Sequence, residues 1–297
     1  MRYLPFYSLF FFVIISLKLE AQMSFLPKGP RDISNMIVVD SGNIKVCYAF
    51  NKSTSSENSN HLKKKDDTLF NYEICAEDVH FLEIGNRISK YYSYNVFLGD
   101  SIFTDYIKKN PNAQAAPHRS GRNPTISNKY FWGEIYKNYT KNILTEYAYM
   151  PSNIPNYYYS EDIPNFNWQL QEDTLTVLGY LCQKATCFFR GKNYAVWFTT
   201  DVPINDGPWK FGGLPGLIMK VCDDQNTNVF ECISITYFKR KFMISTYNYS
   251  NYSKTERRKL LKLWEDIFDH YDQIVGIVRI SGNYIPKKLP YRPMELE

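Results

Sequence analysis

The residues that could carry chemistry are few and scattered. Four histidines (His61, His80, His118 and His270) and six cysteines stand among 297 residues. There is no GxSxG nucleophile elbow, no HExxH zinc helix and no GxxxxGK(S/T) phosphate loop. A zinc site would need Cys or His at short spacing, and no CxxC occurs, so neither a metal nor a cofactor is expected. The adjacent carboxylates Glu161-Asp162 and Asp223-Asp224 could do general acid–base work. In turn-rich sequence, however, such pairs read as solvated. His80 falls in a strand-like segment and reads as a satisfied structural side chain. His118, beside Arg119 and Arg122, reads as a contact for an anion or a partner. The set does not assemble into a catalytic motif, and the expectation is that the protein is not an enzyme.

Charge and export narrow the classes further. There are 35 Lys and Arg against 30 Asp and Glu, a formal charge of +5. The excess is mild and forms no long basic stripe, so nucleic-acid binding is not expected. Arg2, the apolar run Leu4–Leu17, polar Lys18 and Glu20, and then Ala21-Gln22 form the pattern of a signal peptide over residues 1–21. After its removal no run is long enough to span a membrane. The protein is expected to be exported, periplasmic or associated with the outer membrane. An even number of cysteines then suggests disulfides. Cys222 and Cys232 would face each other if Leu217–Cys222 and Val229–Ile235 formed a symmetric hairpin, which makes them the candidate pair.

The elements that must position these residues are mostly strands. Tyr, Phe and Trp make up 17% of the chain, and aromatics favour half-buried pleated surfaces. Ile44, Val46, Tyr48 and Phe50 alternate with Lys45, Cys47 and Ala49 as a strand. Leu69–Ile84, Tyr130–Tyr139, Ile143–Tyr149 and much of Trp168–Phe198 read likewise, the last with a turn at Arg190-Gly191-Lys192. Residues 51–67 and 110–128 read as exposed loops, and 151–164 as a Pro- and Tyr-rich connector. A short helix is expected over Ser101–Lys109. A longer amphipathic one follows a Ser253/Glu256 capping box, its stripe made by Leu260, Leu261, Trp264, Ile267, Phe268 and Tyr271. Residues 22–297 are expected to form one mainly β domain (α+β being the lesser option), with one or two helices packed on it.

The stretch Gly207-Pro208-Trp209-Lys210-Phe211-Gly212-Gly213-Leu214-Pro215-Gly216 fits neither helix nor strand. Pro215-Gly216 suits a type II turn, with Gly at φ > 0. Gly212-Gly213 suits a close backbone crossing. Two readings stand: an architectural crossing with Trp209, Phe211 and Leu214 buried, or a loop in which those side chains meet a ligand. Trp197 and the cluster Tyr157, Tyr158 and Tyr159 join them as candidate binding residues, with His118 and Arg119 from the basic loop.

Gly213-Leu214-Pro215-Gly216-Leu217-Ile218 spells the hexapeptide of the GLPGLI family of exported Bacteroidetes proteins. Gly179–Thr186, Phe189–Thr199, Asp201–Ile204 and Leu82–Gly85 resemble the rest of that family's pattern. The resemblance implies a curved antiparallel sheet or open half-barrel, no catalytic residues and no established activity. The resulting expectation is a non-catalytic envelope protein of unknown activity that binds a peptide, lipid or other hydrophobic ligand. An accessory or structural partner of an outer-membrane TonB-dependent transporter is the alternative. An uncharacterised envelope hydrolase is the lesser one.

Overall fold

The computed structural model describes residues 32–52, 78–111, 133–151, 154–270 and 291–297. The expected signal segment, nearly all of the loops 51–67 and 110–128, and with them His118, Arg119 and Cys75, lie outside the described residues. Within them the chain is mainly β. The strands are β1 (Ile37–Lys52), β2 (Asp78–Gly85), β3 (Ile88–Ser93), β4 (Gly133–Asn138), β5 (Ile143–Ala148), β6 (Tyr157–Asp162), β7 (Gln169–Val177), β8 (Tyr180–Phe189), β9 (Lys192–Thr199), β10 (Leu217–Asp223), β11 (Asn228–Thr246) and β12 (Ser253–Lys254). Two α-helices accompany them, α1 (Tyr94–Lys109) and α2 (Arg257–Asp269).

All twelve strands join one sheet in the order β12-β6-β5-β4-β3-β2-β1-β11-β10-β9-β8-β7. Every pairing is antiparallel except the short β12–β6 contact. β6 and β7 stand ten strand positions apart, yet only residues 163–168 connect them. A flat sheet would separate them by about 48 Å at the usual strand spacing. Six extended residues reach roughly 25 Å. The sheet must therefore curl until its ends approach each other. They do: Arg190, in the β8–β9 turn, donates to Glu161 on β6 at 2.6 Å, and the Phe166 and Phe189 rings lie 4.5 Å apart. The curved antiparallel sheet with a C-terminal amphipathic helix packed on it is the observed architecture.

Curling creates a concave face that apolar side chains must fill. Val46, Tyr48 and Phe50 of β1, Leu82, Ile135, Leu144, Val196, Phe198, Val221 and Phe230 all lie in one buried cluster. At the β6 end, Leu260 and Ile267 of α2 pack with Ala148, Met150 and Tyr159. The expected capping box is absent, because Ser253 is drawn into β12 and Glu256 caps α2 without a side-chain hydrogen bond. The first helix is longer than expected. Ser93 starts it by accepting from Val96 N at 3.2 Å, and its buried residues are Asp100 and Thr104, which no apolar periodicity reveals. Tyr157–Tyr159 lie in a strand rather than a connector.

The β10–β11 hairpin overturns the expected disulfide. Cys222 lies opposite Val229, and Cys232 opposite Tyr48, so the two do not meet. The turn is tightened by Asp223, whose carboxylate accepts from Thr227 N at 2.6 Å, Asn228 Nδ2 at 2.9 Å and Lys192 Nζ at 3.0 Å. Those bonds close the hairpin at once and set the register. Asp223 is therefore buried and not solvated. Burial alone would raise its carboxyl, but hydrogen bonds from Thr227 and Asn228 outweigh it and hold the group below its ordinary value.

The glycines of the central loop exchange their expected roles. Gly213 has φ +88°, whereas Gly216 does not adopt a positive φ. A Cβ on Gly216 would sit 2.0 Å from the Thr199 carbonyl oxygen, so β9 and the start of β10 can approach only across a glycine. Gly216→Ala should cost about 2 kcal/mol or more, seen as a lower urea midpoint. Gly99→Ala, in α1 where a Cβ meets nothing within 4 Å, should raise the midpoint by up to about 1 kcal/mol. Equal effects at the two sites would contradict the close approach.

Candidate functional site

The loop between β9 and β10 turns inward and plugs the concave face. Trp209, Phe211 and Leu214 are 4%, 0% and 3% exposed. They form the middle of the core, where the Phe211 ring meets Tyr194 edge-on and Phe166 and Trp209 at a tilt. The plug carries backbone polar groups into that core, and these need partners. Lys137 of β4 supplies several: its Nζ donates to the Phe211 carbonyl at 2.6 Å, the Gly207 carbonyl at 3.3 Å and Asp206 Oδ1 at 2.6 Å. Tyr48 OH donates to the Ile218 carbonyl at 2.8 Å, and Trp168 Nε1 to the Gly212 carbonyl at 2.8 Å. Burial draws the Lys137 ammonium below its ordinary value, against the opposing pull of Asp206.

Beside the plug, at the seam where the sheet ends meet, six charged side chains converge. Glu146 and Glu161 point inward from β5 and β6, Arg190 comes from the β8–β9 turn, Lys210 from the plug, Arg257 from the start of α2, and Glu295 from the C-terminal segment. Lys210, fully buried, bonds to Glu295 and lies 3.4 Å from Glu146 and 3.9 Å from Glu161. Arg190 forks onto Glu161 at 2.6 and 3.1 Å and reaches Glu295 at 2.6 Å. Arg257 approaches Glu161 at 3.5 Å and Glu295 at 3.4 Å, and one of its buried nitrogens has no hydrogen-bond partner among the described residues. Tyr159 OH donates to Glu146 at 2.6 Å. The Lys210 ammonium also lies over the Trp209 ring, 4.7 Å from its centroid. Burial opposes ionisation of Glu295, but Lys210 and then Arg190 outweigh it, holding the carboxyl below its usual range. Burial, together with Glu146, raises the Tyr159 hydroxyl, which stays protonated and able to donate.

The candidate binding residues do not form one surface. Trp209, Phe211 and Leu214 take the architectural role, because the curl leaves a volume that they fill. Tyr159 faces the seam and is buried, whereas its neighbour Tyr158 faces the other side and stacks near Tyr147 at 5.6 Å. Tyr157 packs beneath α2. Alternation along β6 therefore splits the tyrosine cluster. Trp197 is half-buried, with Lys220 Nζ 6.0 Å from its ring centroid. His80 is sealed in the core, where its Nε2 lies 2.8 Å from Asp78, its Nδ1 bonds to Tyr91 OH and its ring stacks on Phe50. Glu161 is no solvated loop residue. Sequence reasoning assigns no site to Glu146, Arg190, Lys210, Arg257 or Glu295 and reads Glu161 as solvated, yet the carboxylates carry one signal. Glu146 shares the strand parity of Leu144, as Glu161 does that of Tyr159, which puts charges on an inward face.

A profile of the family described as "N-glycanase peptide, N-terminal domain" matches residues 135–258. That segment runs from β4 into α2 and holds every member of the seam except Glu295. No curated protein matches the chain. Among solved structures, PNGF-II in the C2 space group is similar at 14% identity and a TM-score of 0.45, over 77% of this chain and 34% of that one. PNGF-II in the P21 space group is similar at 15% identity and a TM-score of 0.43, with the same coverage. This chain spans about a third of the length of those structures. The profile match corrects the GLPGLI resemblance, since it covers the hexapeptide and is to a different family. It also corrects the expectation of a non-catalytic protein of unknown activity, since the matched domain is part of an enzyme. The hydrophobic-ligand and transporter-partner readings go with it. The plug supplies a physical reason in the first case, for it occupies the apolar concavity that such a ligand would need.

The seam's charges make a pH test. Glu295 is held below the unfolded glutamate pKa of about 4.3. Its stabilisation is therefore present above that value and lost as pH falls through the lower folded value. Lys210→Met should cost about 3–5 kcal/mol at pH 7, by leaving clustered carboxylates without their ammonium. Glu295→Gln should lower stability at pH 7 and show a shrinking deficit below about pH 4. Urea midpoints across pH measure both, and a constant Glu295→Gln deficit would contradict the assigned ion pairs.

Proposed function

We propose that the chain takes part in the enzymatic removal of N-linked glycans from peptides, and that it engages the glycopeptide at the seam. The observation that carries this reading is the profile match over residues 135–258 to the N-terminal domain of an N-glycanase. The geometry suits such a substrate. Sugars present hydroxyls that carboxylates accept from and guanidinium groups donate to, while aromatic faces pack on the rings. Glu146 and Glu161 keep 14% and 18% of their side-chain surface, so they are not sealed as His80 is.

The linkage in question is the amide between an asparagine side chain and the first sugar. Its hydrolysis adds water to the carbonyl carbon and breaks the carbon–nitrogen bond. The nitrogen takes a proton and leaves on the sugar, and the peptide retains an aspartate. A carboxylate can take the proton of the attacking water, and a protonated group can supply the one that leaves. Glu146, with Tyr159 OH and Lys210 at hand, and Glu161, held by Arg190, are the groups assigned to that work. The apolar stretch Leu4–Leu17 supports an exported protein, meeting glycopeptides outside the cytoplasm.

Incubation with an N-glycosylated peptide in heavy-oxygen water tests this. The expected product is the peptide with asparagine converted to aspartate and one heavy oxygen incorporated. Glu146→Gln and Glu161→Gln should each slow its release by about 10²–10⁴-fold. Circular dichroism separates that loss from unfolding. Neither release nor binding of the glycosylated over the bare peptide would overturn the proposal. Release that leaves one sugar on the asparagine would refute the amide chemistry.

A further inference from the structure

The long β1–β11 ribbon carries a second surface, remote from any role in the seam. Its register steps from Ile44 opposite Tyr237 to Gly42 opposite Phe242. Phe238, Lys239, Arg240 and Lys241 therefore bulge out opposite the single residue Asn43. Beyond the bulge the ribbon folds back over β2 and β3. Ile244 is fully buried there, the Ser245 carbonyl accepts from Lys90 Nζ at 2.9 Å, and the Asp40 carboxylate accepts from Arg87 N at 2.7 Å. The bulge is left as the outer corner of the fold. A half-buried strand alternates in exposure, but here Thr236 through Lys241 are exposed without a break.

What the corner presents is both basic and apolar. Tyr237 is 55% exposed, Phe238 39% and Met243 64%. Lys239, Arg240 and Lys241 form no ion pair among the described residues. Lys241 donates instead to Asn86 at 3.1 Å, next to exposed Arg87. The Asp40 carboxylate, on the same ribbon, is taken up by the backbone amides of Ser41, Arg87 and Ile88 and pairs with none of these cations. Exposed aromatics are costly in water, and three adjacent cations repel each other. An anionic interface of intermediate polarity relieves both, because long basic side chains reach phosphates while Tyr and Phe settle among the upper acyl chains.

We propose that this corner docks the protein on an anionic phospholipid surface. Lys239, Arg240 and Lys241 meet headgroup phosphates, and Tyr237 and Phe238 insert beside them. The docking is peripheral, since the corner is a bulge of one strand pair.

Flotation of the full chain with vesicles tests this, using phosphatidylcholine alone and phosphatidylcholine mixed with phosphatidylglycerol. The wild type should float with the anionic vesicles and much less with the neutral ones. Lys239→Glu/Arg240→Glu/Lys241→Glu should lower the bound fraction at least about tenfold at low salt. Tyr237→Ser/Phe238→Ser should lower binding at high salt as well, where screening has already weakened the charge contribution. Urea midpoints of both variants should match the parent, since all five side chains are exposed. Binding that is equal on both vesicle types and unchanged in both variants would arise elsewhere in the chain and overturn the proposal. Retention on a soluble polyanion such as heparin, without flotation, would overturn the lipid surface in favour of a charged polymer.

Discussion

Six residues between β6 and β7 constrain everything else in this fold. They tie strands that lie ten positions apart in the sheet, and the sheet can satisfy them only by curling. Curling has a cost that flat sheets avoid, because it encloses a volume too large for the strands' own side chains to fill. The loop between β9 and β10 fills it with Trp209, Phe211 and Leu214. That solution brings a second constraint, since a loop has no ladder and its carbonyls arrive in the core unpaired. Lys137 answers that need by holding two plug carbonyls and Asp206 at once. Curl, plug and buried lysine are thus one argument. Removing any of them leaves the others without a reason.

Buried cations recur because of this logic and not as independent stabilisers. A buried ion pair gains little over well-packed hydrophobic residues, but removing one partner alone is expensive. At the seam that asymmetry ties together parts of the chain that are distant in sequence. Arg190 and Lys210 each need Glu295, and Glu295 needs them. The C-terminal segment is fixed in place further by Leu296 N donating to the Arg190 carbonyl at 2.9 Å and by Tyr194 OH donating to the Met294 carbonyl. Closure of the sheet ends is therefore electrostatic at the seam and hydrophobic at Phe166–Phe189.

Much of this was legible in the residues. Alternation marks β1, aromatic and β-branched runs mark β4, β5, β8 and β9, and the stripe of Leu260, Trp264 and Ile267 marks α2. Side chains that act through hydrogen bonds escaped it. Asp223 sets the β10–β11 register by gripping its own turn, and no pattern of apolar residues reports that, so a symmetric hairpin sets Cys222 opposite Cys232 instead of Val229. α1 packs through Asp100 and Thr104, and its first turns were invisible for the same reason. The sequence singles out both Gly213 and Gly216, but which carries the positive φ and which the close approach depends on Thr199, a contact across strands. The seam was missed because carboxylates beside turn residues read as solvated. Only the curl of the sheet turns Glu161 toward Arg190.

The seam and the profile match bear on each other through what the match leaves out. Residues 135–258 supply Glu146, Glu161, Arg190, Lys210 and Arg257, two carboxylates against three cations. Glu295, beyond the matched segment, brings the third carboxylate and balances the set. Its carboxylate meets Lys210 and Arg190 and draws Arg257 to 3.4 Å. A sugar or peptide oxygen entering the seam would compete for the same three donors. The C-terminal segment therefore supplies the oxygens that keep the seam charge-balanced. A ligand that binds there must offer those cations at least what Glu295 offers them.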